Sequence, residues 1–510
     1  MASTTTLGPG AGFRPAGWNA AASALVRPDG TDAPVSSSAS YYFRSNGTGY
    51  DRTALQTLVD AIAAAGGGFV EFDGTVTLNS KHPTQTCGIY WPANVGIKGL
   101  DPERAILTAG ASLPVNTAII ETVSGSGWFH FEGFTIDGLK SRIDSAQIGA
   151  QEDEGLNIKG GDRATVRGMR IINCGADGVD VDICNSVQII GNRFENNGGN
   201  AVHAVGSTGD NYIIAYNVCT GNSLGRIVNA LAAAAADACA IDVGGSKAQC
   251  VIIGNVSNGD ARGIRVDNAQ RTLVQGNVIR NFGAGTPTTG ILVESGASQC
   301  NIVGNVVSGS SGASGTCIAL EGGSVVLVEG NNLNAAAVGI DINGSATFTA
   351  KNNLISTCGN AIDVRVNSGR YDVTGNTILG SNWGVRSVVA NGAIVGNTVV
   401  TPVEQGVDIR AAVSNITVSG NVVDTGAKYG VRLLNSPTNC TITDNECQGC
   451  VSGTLQTTGT GHHIRNRGSA TPEAAIHAGI GSQWYRTDGG AGTSFYVKES
   501  GTGNTGWVAK

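Results

Sequence analysis

The chain has 510 residues, 76 of them glycine, with 14 % charged and 5 % aromatic residues and a formal net charge of -7. It holds no basic stripe or Lys/Arg cluster, which excludes nucleic-acid binding. Its longest apolar run, IVNALAAAAADACAI, is mostly alanine and contains Asn229 and Asp237, which excludes membrane insertion.

Residues 1–45 are rich in Ala, Gly, Ser, Thr and Pro, with Phe13 and Trp18 as isolated anchors, and are expected to form an N-terminal docking arm. No basic segment leads into an apolar run, so no secretory signal is expected. The next stretch, NGTGYDRTALQTLVDAIAAAGGGFVEF, predicts a helix capped by Asp51, with an apolar face of Leu55, Leu58, Val59 and Ile62. Gly66, Gly67 and Gly68 end it, and a strand over FVEF follows at once. Residues 46–95 therefore read as a capping helix and first strands.

From about residue 96 to 455 one phrase recurs: aliphatic residues, Gly-Asn, aliphatic residues, a polar turn and a short Gly-Ile-x-Val strand. Asn192, Asn217, Asn255, Asn277, Asn305, Asn331, Asn352, Asn376, Asn397, Asn421 and Asn445 mark it, 21 to 38 residues apart. A period near 24 residues with runs too short for helices describes the coils of a parallel β-helix, about fourteen of them. Turns between strands need left-handed residues, which Gly and Asn supply, and stacked Asn side chains can hydrogen-bond along the column as an internal ladder. A solenoid needs its open end covered, which is the expected work of the helix. The 38-residue gap around NALAAAAADACA predicts a helical insertion.

The twelve cysteines do not suggest disulfides. Cys250, Cys300 and Cys440 each stand five residues before a marker asparagine, beside apolar positions, and read as small core residues of a reducing compartment. Cys447-x-x-Cys450 has no second pair or histidine at metal spacing, so no metal is expected there.

Residues 456–510 change character. Short alternating strands around Tyr485, Phe495-Tyr496-Val497 and Trp507-Val508, joined by Gly-rich turns, predict a small β meander. So few residues make no core of their own. Trp484, Phe495 and Trp507 are therefore expected to find partners in other subunits.

Two segments carry a resemblance. NGTGYDRTALQTLVDAIAAAGGGFVEFDGTVTL, with NVGIKGLD after it, resembles the opening of the pectate-lyase-like right-handed parallel β-helix of bacteriophage tailspikes. YRTDGGAGTSFYVKESGTGNTGWVAK resembles a module that ends many phage tail fibre and spike proteins. The resemblance covers residues 45 to 510. It implies a homotrimeric spike of the virion tail, made in the host cytoplasm, with the arm docked to tail, adaptor or baseplate proteins. It also implies binding, and often cleavage, of host surface polysaccharide (lipopolysaccharide O-antigen or capsule). It implies no catalytic set, because that differs from spike to spike.

Candidate catalytic residues come from the recurring strand. Ile and Val point inward, so the residue between them points outward: Asn157, Asp180, His203, Asp242 and Arg265 in consecutive coils. His203 falls between Asp180 and Asp242, with Asp182, Asp177 and Glu154 nearby. Asp180 and Asp242 stand about 10 Å apart at the backbone, which leaves room for a water between acid and base as inverting glycosidases need. A second group, Asp267, Glu294 and Glu321, occupies the next outward position of three later coils. It is the alternative catalytic set, and the only place where Ca²⁺ is considered. Hydrolysis is the leading expectation. A lyase would use Lys159, Arg265 or Arg386 against a uronate, and a spike without chemistry would only adhere. No cofactor is expected.

Overall fold

The computed structural model describes residues 18–19, 24–25, 40–44, 52–143, 145, 148, 153–205, 211–224, 238–245, 249–282, 289–294, 296–309, 315–345, 347–367 and 369–510. Most of the expected arm and of the inserted NALAAAAADACA segment lies outside these residues. The chain divides into two compact units, residues 1–270 with 284–287, and 271–283 with 288–510. Both are parallel β-solenoids, with seven coils in the first and eight in the second against the fourteen expected.

In the first unit the strand Ser40–Arg44 pairs in parallel with Gly68–Asp73, so the sheet starts ahead of the helix. The helix runs Arg52–Ala64, and the predicted face of Leu55, Leu58, Val59 and Ile62 is fully buried. Gln56 on this helix accepts from the Tyr90 backbone N–H (2.9 Å) and donates to its carbonyl (2.7 Å). The helix thus satisfies backbone groups of the outermost strand Cys87–Trp91, which would otherwise stand as an open edge. Gly67 has φ 105° beside Asn94, where a Cβ would lie 2.5 Å from the Asn94 carbonyl oxygen, so the helix must end there on glycine.

The sheet that matters for function holds, in the first unit, the strands Cys87–Trp91, Ala118–Thr122, Leu156–Ile158, Val179–Val181, Val202–Ala204, Ile241–Val243 and Ile264–Val266. Their inward residues (Val179, Val181, Val202, Ala204, Ile241, Val243, Ile264 and Val266) are at most 1 % exposed. Each buried Val or Ile contributes about 1.5–3 kcal/mol, and this repeated burial locks the register, since a one-residue slip would turn the whole set outward. In the second unit the same sheet position is filled by Thr289–Val293, Thr316–Leu320, Val338–Ser345, Asn360–Asn367, Trp383–Ser387, Gln405–Ile409, Tyr429–Leu433 and Gly453–Gln456.

The asparagine ladder is present in both units. In the first, Asn192 donates to Asn217 and Asn217 to Asn255, both at 2.9 Å. In the second, the chain of amides runs from Asn277 through Asn305, Asn331, Asn353, Asn376, Asn397 and Asn421 to Asn445 at 2.8–3.0 Å. The expectation that named Asn352 is corrected: Asn353 is the ladder member, and Asn352 is exposed with φ 55°. Two roles that the sequence reading merged are separate here. The residue before the ladder takes the left-handed backbone, usually as Gly (Gly191, Gly254, Gly276, Gly304), and Asn352, Tyr216 and Asp444 replace it. The asparagine that follows turns its amide inside.

All twelve cysteines are free, and ten of them are buried, including Cys250, Cys300 and Cys440. At the end of the second unit, Gln483–Arg486 still adds in parallel to His463–Gly468, and only Phe495–Lys498 and Trp507–Ala509 continue antiparallel. Trp484 and Trp507 are 3 % and 6 % exposed within the single chain, which corrects the expectation that they need other subunits for burial. The tail folds back on itself: the Trp484 ring lies over Gly468, where a Cβ would come within 2.5 Å of it, and Trp507 Nε1 donates to the carbonyl of Ile476 in the connecting segment at 2.9 Å. Among the described residues no helix is long and apolar enough to cross a membrane.

Candidate active site

The outward column stands in the predicted register. Glu121 pairs with Asn157, Asn157 with Asp180, Asp180 with His203, His203 with Asp242, and Asp242 with Arg265. Side chains one strand apart on one face are close enough to bond, and they do. His203 Nδ1 lies 2.9 Å from Asp180 Oδ1 and 3.7 Å from Asp177 Oδ2, and its Nε2 lies 3.6 Å from Asp242 Oδ2. The imidazole therefore bridges the two aspartates that the sequence placed on either side of it.

Access differs sharply along the column. The side chains of His203 and Asp180 are 26 % and 16 % exposed, whereas that of Asp242 is 0 % exposed. Arg265 Nη1 reaches Asp242 Oδ2 at 3.1 Å, and its Nη2 lies 3.5 Å from Asp267. Asp177 is buried and accepts from the Asn200 backbone N–H. Asn200 Oδ1 in turn accepts from Ser223 (2.8 Å) and from the Cys239 N–H (2.9 Å), so a polar chain behind the sheet holds Asp177 in place. Asp182 is exposed just past the end of the strand Val179–Val181. Glu154 is 6 % exposed, and its charge, with that of Asp137, adds to the burial that pushes the Cys174 thiol up. Its neighbour Asp153 is occupied by Arg142 at 2.6 Å, a pair almost wholly buried.

Two shifts matter. Burial raises Asp180 above the ordinary carboxylate value, the His203 hydrogen bond and charge pull it back, and the charges of Asp177 and Asp182 raise it further. Burial alone would lower His203, but the bond to Asp180 and the charges of Asp177, Asp180 and Asp242 outweigh it and lift the imidazole to about 9. Around one imidazole stand three carboxylates, and the site as a whole retains protons. At neutral pH His203 is cationic.

Asp267 belongs to the first unit, on Arg265, whereas Glu294 and Glu321 belong to the second. Glu294 is half-buried and Glu321 exposed, each one residue beyond the paired ends of Thr289–Val293 and Thr316–Leu320. The lyase candidates are ion-paired: Lys159 with Glu121 at 3.1 Å, Arg265 with Asp242, and Arg386 with Asp363 at 3.3 Å.

Sequence reasoning missed Asn200 and the clamp that Arg265 puts on Asp242. It also missed a second buried ladder, in which Asn197 donates to Asn222 and Asn222 to Asp260, both at 2.9 Å. A signal for it exists: each member follows a first-ladder asparagine (Asn192, Asn217, Asn255) by five residues.

A family model of the right handed beta helix region matches residues 115–218 and 289–467, and one of the periplasmic copper-binding protein (NosD) matches residues 203–347. Among solved structures, the chain is similar to a mutant tailspike protein of E. coli bacteriophage HK620 in complex with pentasaccharide. The identity is 13 % and the TM-score 0.51, with 94 % of this chain and 89 % of that chain covered. It also aligns with the A-module of a mannuronan C-5 epimerase from Azotobacter vinelandii at 14 % identity and TM-score 0.27, covering 81 % of this chain and 95 % of that one. No curated protein sequence matches. At these identities the likeness is one of fold.

The donor set does not suit Cu(I). Among the described residues the one group of three His, Cys, Asp or Glu side chains with converging donor atoms is Asp177, Asp180 and His203, within 4.8 Å of one another. Two carboxylates and one imidazole lack the thiolate or thioether that Cu(I) sites favour, and ten of the twelve cysteines are buried.

Proposed function

The chain belongs to the family of right handed beta helix proteins, and we propose that this member binds a bacterial surface polysaccharide as a homotrimeric bacteriophage tailspike and cleaves it by hydrolysis. The observation that carries this reading is the His203-bridged group of carboxylates on an outward, partly open column of the helix. Paired carboxylates with pKa values pushed apart are what glycosidic hydrolysis requires.

Asp180 is the general acid together with His203: the proton that the pair retains rests on the imidazole, and it passes through Asp180 to the glycosidic oxygen as the bond to the anomeric carbon breaks. The base must reach a water on the opposite side of the sugar. Asp242, fully buried under its ion pair with Arg265, is poorly placed for that, so we assign it to holding His203. Asp182, exposed two residues beyond Asp180, takes the proton of the attacking water. Carboxylates set about 6.5–9.5 Å apart leave room for that water and give inversion at the anomeric carbon. His203 positions Asp180, and Asp177 with Asn200 holds His203 from behind. A lyase is less well supported, since Lys159 and Arg265 are each neutralised by a carboxylate.

The test is to incubate the protein with purified surface polysaccharide and measure new reducing ends. Asp180→Asn and Asp182→Asn should each lower the rate by about 10²–10⁴-fold while binding persists. Full cleavage by Asp180→Asn would refute the assignment. Absorbance of an unsaturated uronate would replace hydrolysis with elimination, and binding without cleavage would leave an adhesin.

A further inference from the structure

The second unit carries a strip that the proposed chemistry does not use. Trp383, Gln405 and Tyr429 stand in register on three consecutive strands, Trp383–Ser387, Gln405–Ile409 and Tyr429–Leu433. Both aromatic residues are half-buried and so keep part of their rings open, in a chain whose other large aromatics mostly fill the core. Trp383 Nε1 donates to Gln405 Oε1 at 2.8 Å. The Gln405 amide is fully buried, and its Nε2 finds no hydrogen-bond partner among the described residues. A buried amide N–H₂ without an acceptor carries a desolvation cost that a water or a polar neighbour would relieve.

Three residues further along the same strands, Arg386, Asp408 and Arg432 are also in register. Arg432 grips Asp408 with two bonds of 2.9 Å, whereas Arg386 Nε lies 3.3 Å from Asp363 Oδ1 without forming a hydrogen bond. The Arg410 guanidinium lies 5.2 Å from the Trp383 ring centroid and bonds Asp408 through Nε. Each guanidinium has five N–H donors in a planar fork, so the amino ends of Arg386 and Arg410 remain for a second carboxylate. With Arg365, which is paired to Asp341, four arginines here face three aspartates.

We propose that this strip is a binding site for an acidic polysaccharide: Trp383 and Tyr429 stack on its sugar rings, and Arg386 and Arg410 bind its carboxylates. The two aromatic residues are two strand spacings apart, about 10 Å, the span of a disaccharide. Gln405 lies buried between them and fixes the Trp383 indole through its Oε1. The inference rests on the reading that the chain binds polysaccharide, and it names the class.

Binding to the full-length protein is measured by calorimetry with oligogalacturonate, oligomannuronate and neutral dextran oligosaccharides. At least one acidic probe should bind, weaken as salt is raised, and outcompete dextran. Trp383→Ala, or Arg386→Ala with Arg410→Ala, should weaken it by about tenfold or more. Trp383→Phe, which keeps a ring, should stay close to wild type and shows that the Ala variant fails for want of a ring rather than of a fold. Failure of every acidic probe to bind, equal binding of dextran, or unchanged affinity in the Ala variants would overturn the proposal. The two readings fail separately. Acid binding that needs Trp383 without any release of reducing ends sinks only hydrolysis, and cleavage by Trp383→Ala with undiminished affinity sinks only the strip.

Discussion

Asp260 offers the sharpest test of the buried polar ladders. It ends the second ladder of the first unit, is fully buried, and accepts from the Asn222 N–H (2.6 Å), Asn222 Nδ2 (2.9 Å) and Ser257 Oγ (2.7 Å). Burial outweighs these bonds and raises its pKa from an ordinary 3.8 to about 6. A carboxyl raised on folding favours the folded state while it is protonated. That stability is complete below pH 3.8, is lost as pH rises through about 6, and is absent at 7.5. The loss is about two pKa units, on the order of 3 kcal/mol. Asp260→Asn keeps the accepting Oδ1 and removes the charge, and the Ser257 hydroxyl can turn to accept from the new amide. At pH 7.5 the variant should therefore gain up to about 3 kcal/mol, and at pH 4 almost nothing. With about 2.1 cal/mol/K per residue over a unit of roughly 270 residues, that is a rise of about 5 °C in Tm. Scanning calorimetry of both proteins at the two pH values, at one scan rate, measures it. A lower Tm at pH 7.5, or an equal gain at both pH values, would refute the reasoning.

Other outcomes follow from the same structure. His203 is raised from 6.5 to about 9, so its contribution to stability is complete below pH 6.5 and is lost as pH rises through 9. Its imidazole NMR shift should titrate near 9, and cleavage should fall on the same limb; a midpoint near 6.5 would mean that the carboxylates do not act on it. Asn353→Ala should cost about 2–4 kcal/mol in a urea melt by orphaning amides on either side. Asn352→Gly, at a left-handed exposed position, should be neutral or slightly stabilising, and a reversal of the two would return the ladder to Asn352. Trp507→Ala should lower stability by about 3–5 kcal/mol while light scattering reports an unchanged mass. A change of mass would restore the indole to an interface between subunits.

Much of the fold and the composition of the candidate column is local information. Inward and outward residues alternate with period two. The coils repeat, so Asp180, His203, Asp242 and Arg265 could be placed side by side before any coordinates, and the helix announced itself by its apolar face and its glycines. What alternation cannot carry is how deeply an outward residue is covered and what it meets there. Asp180 and Asp242 look equivalent as letters. Yet one is partly open on His203, and the other is sealed beneath Arg265, because neighbouring coils and turns decide the local dielectric and the partner. The choice of Asn353 over Asn352 is likewise tertiary. Both are asparagines in one turn, and only the three-dimensional path shows which adopts φ 55° outside and which turns its amide into the column. Trp484 and Trp507 had seemed to need a second chain, because a forty-residue meander has no interior. Trp484 finds one on the strand His463–Gly468 and Trp507 on the segment around Ile476, close approaches that only the three-dimensional path of the tail brings about.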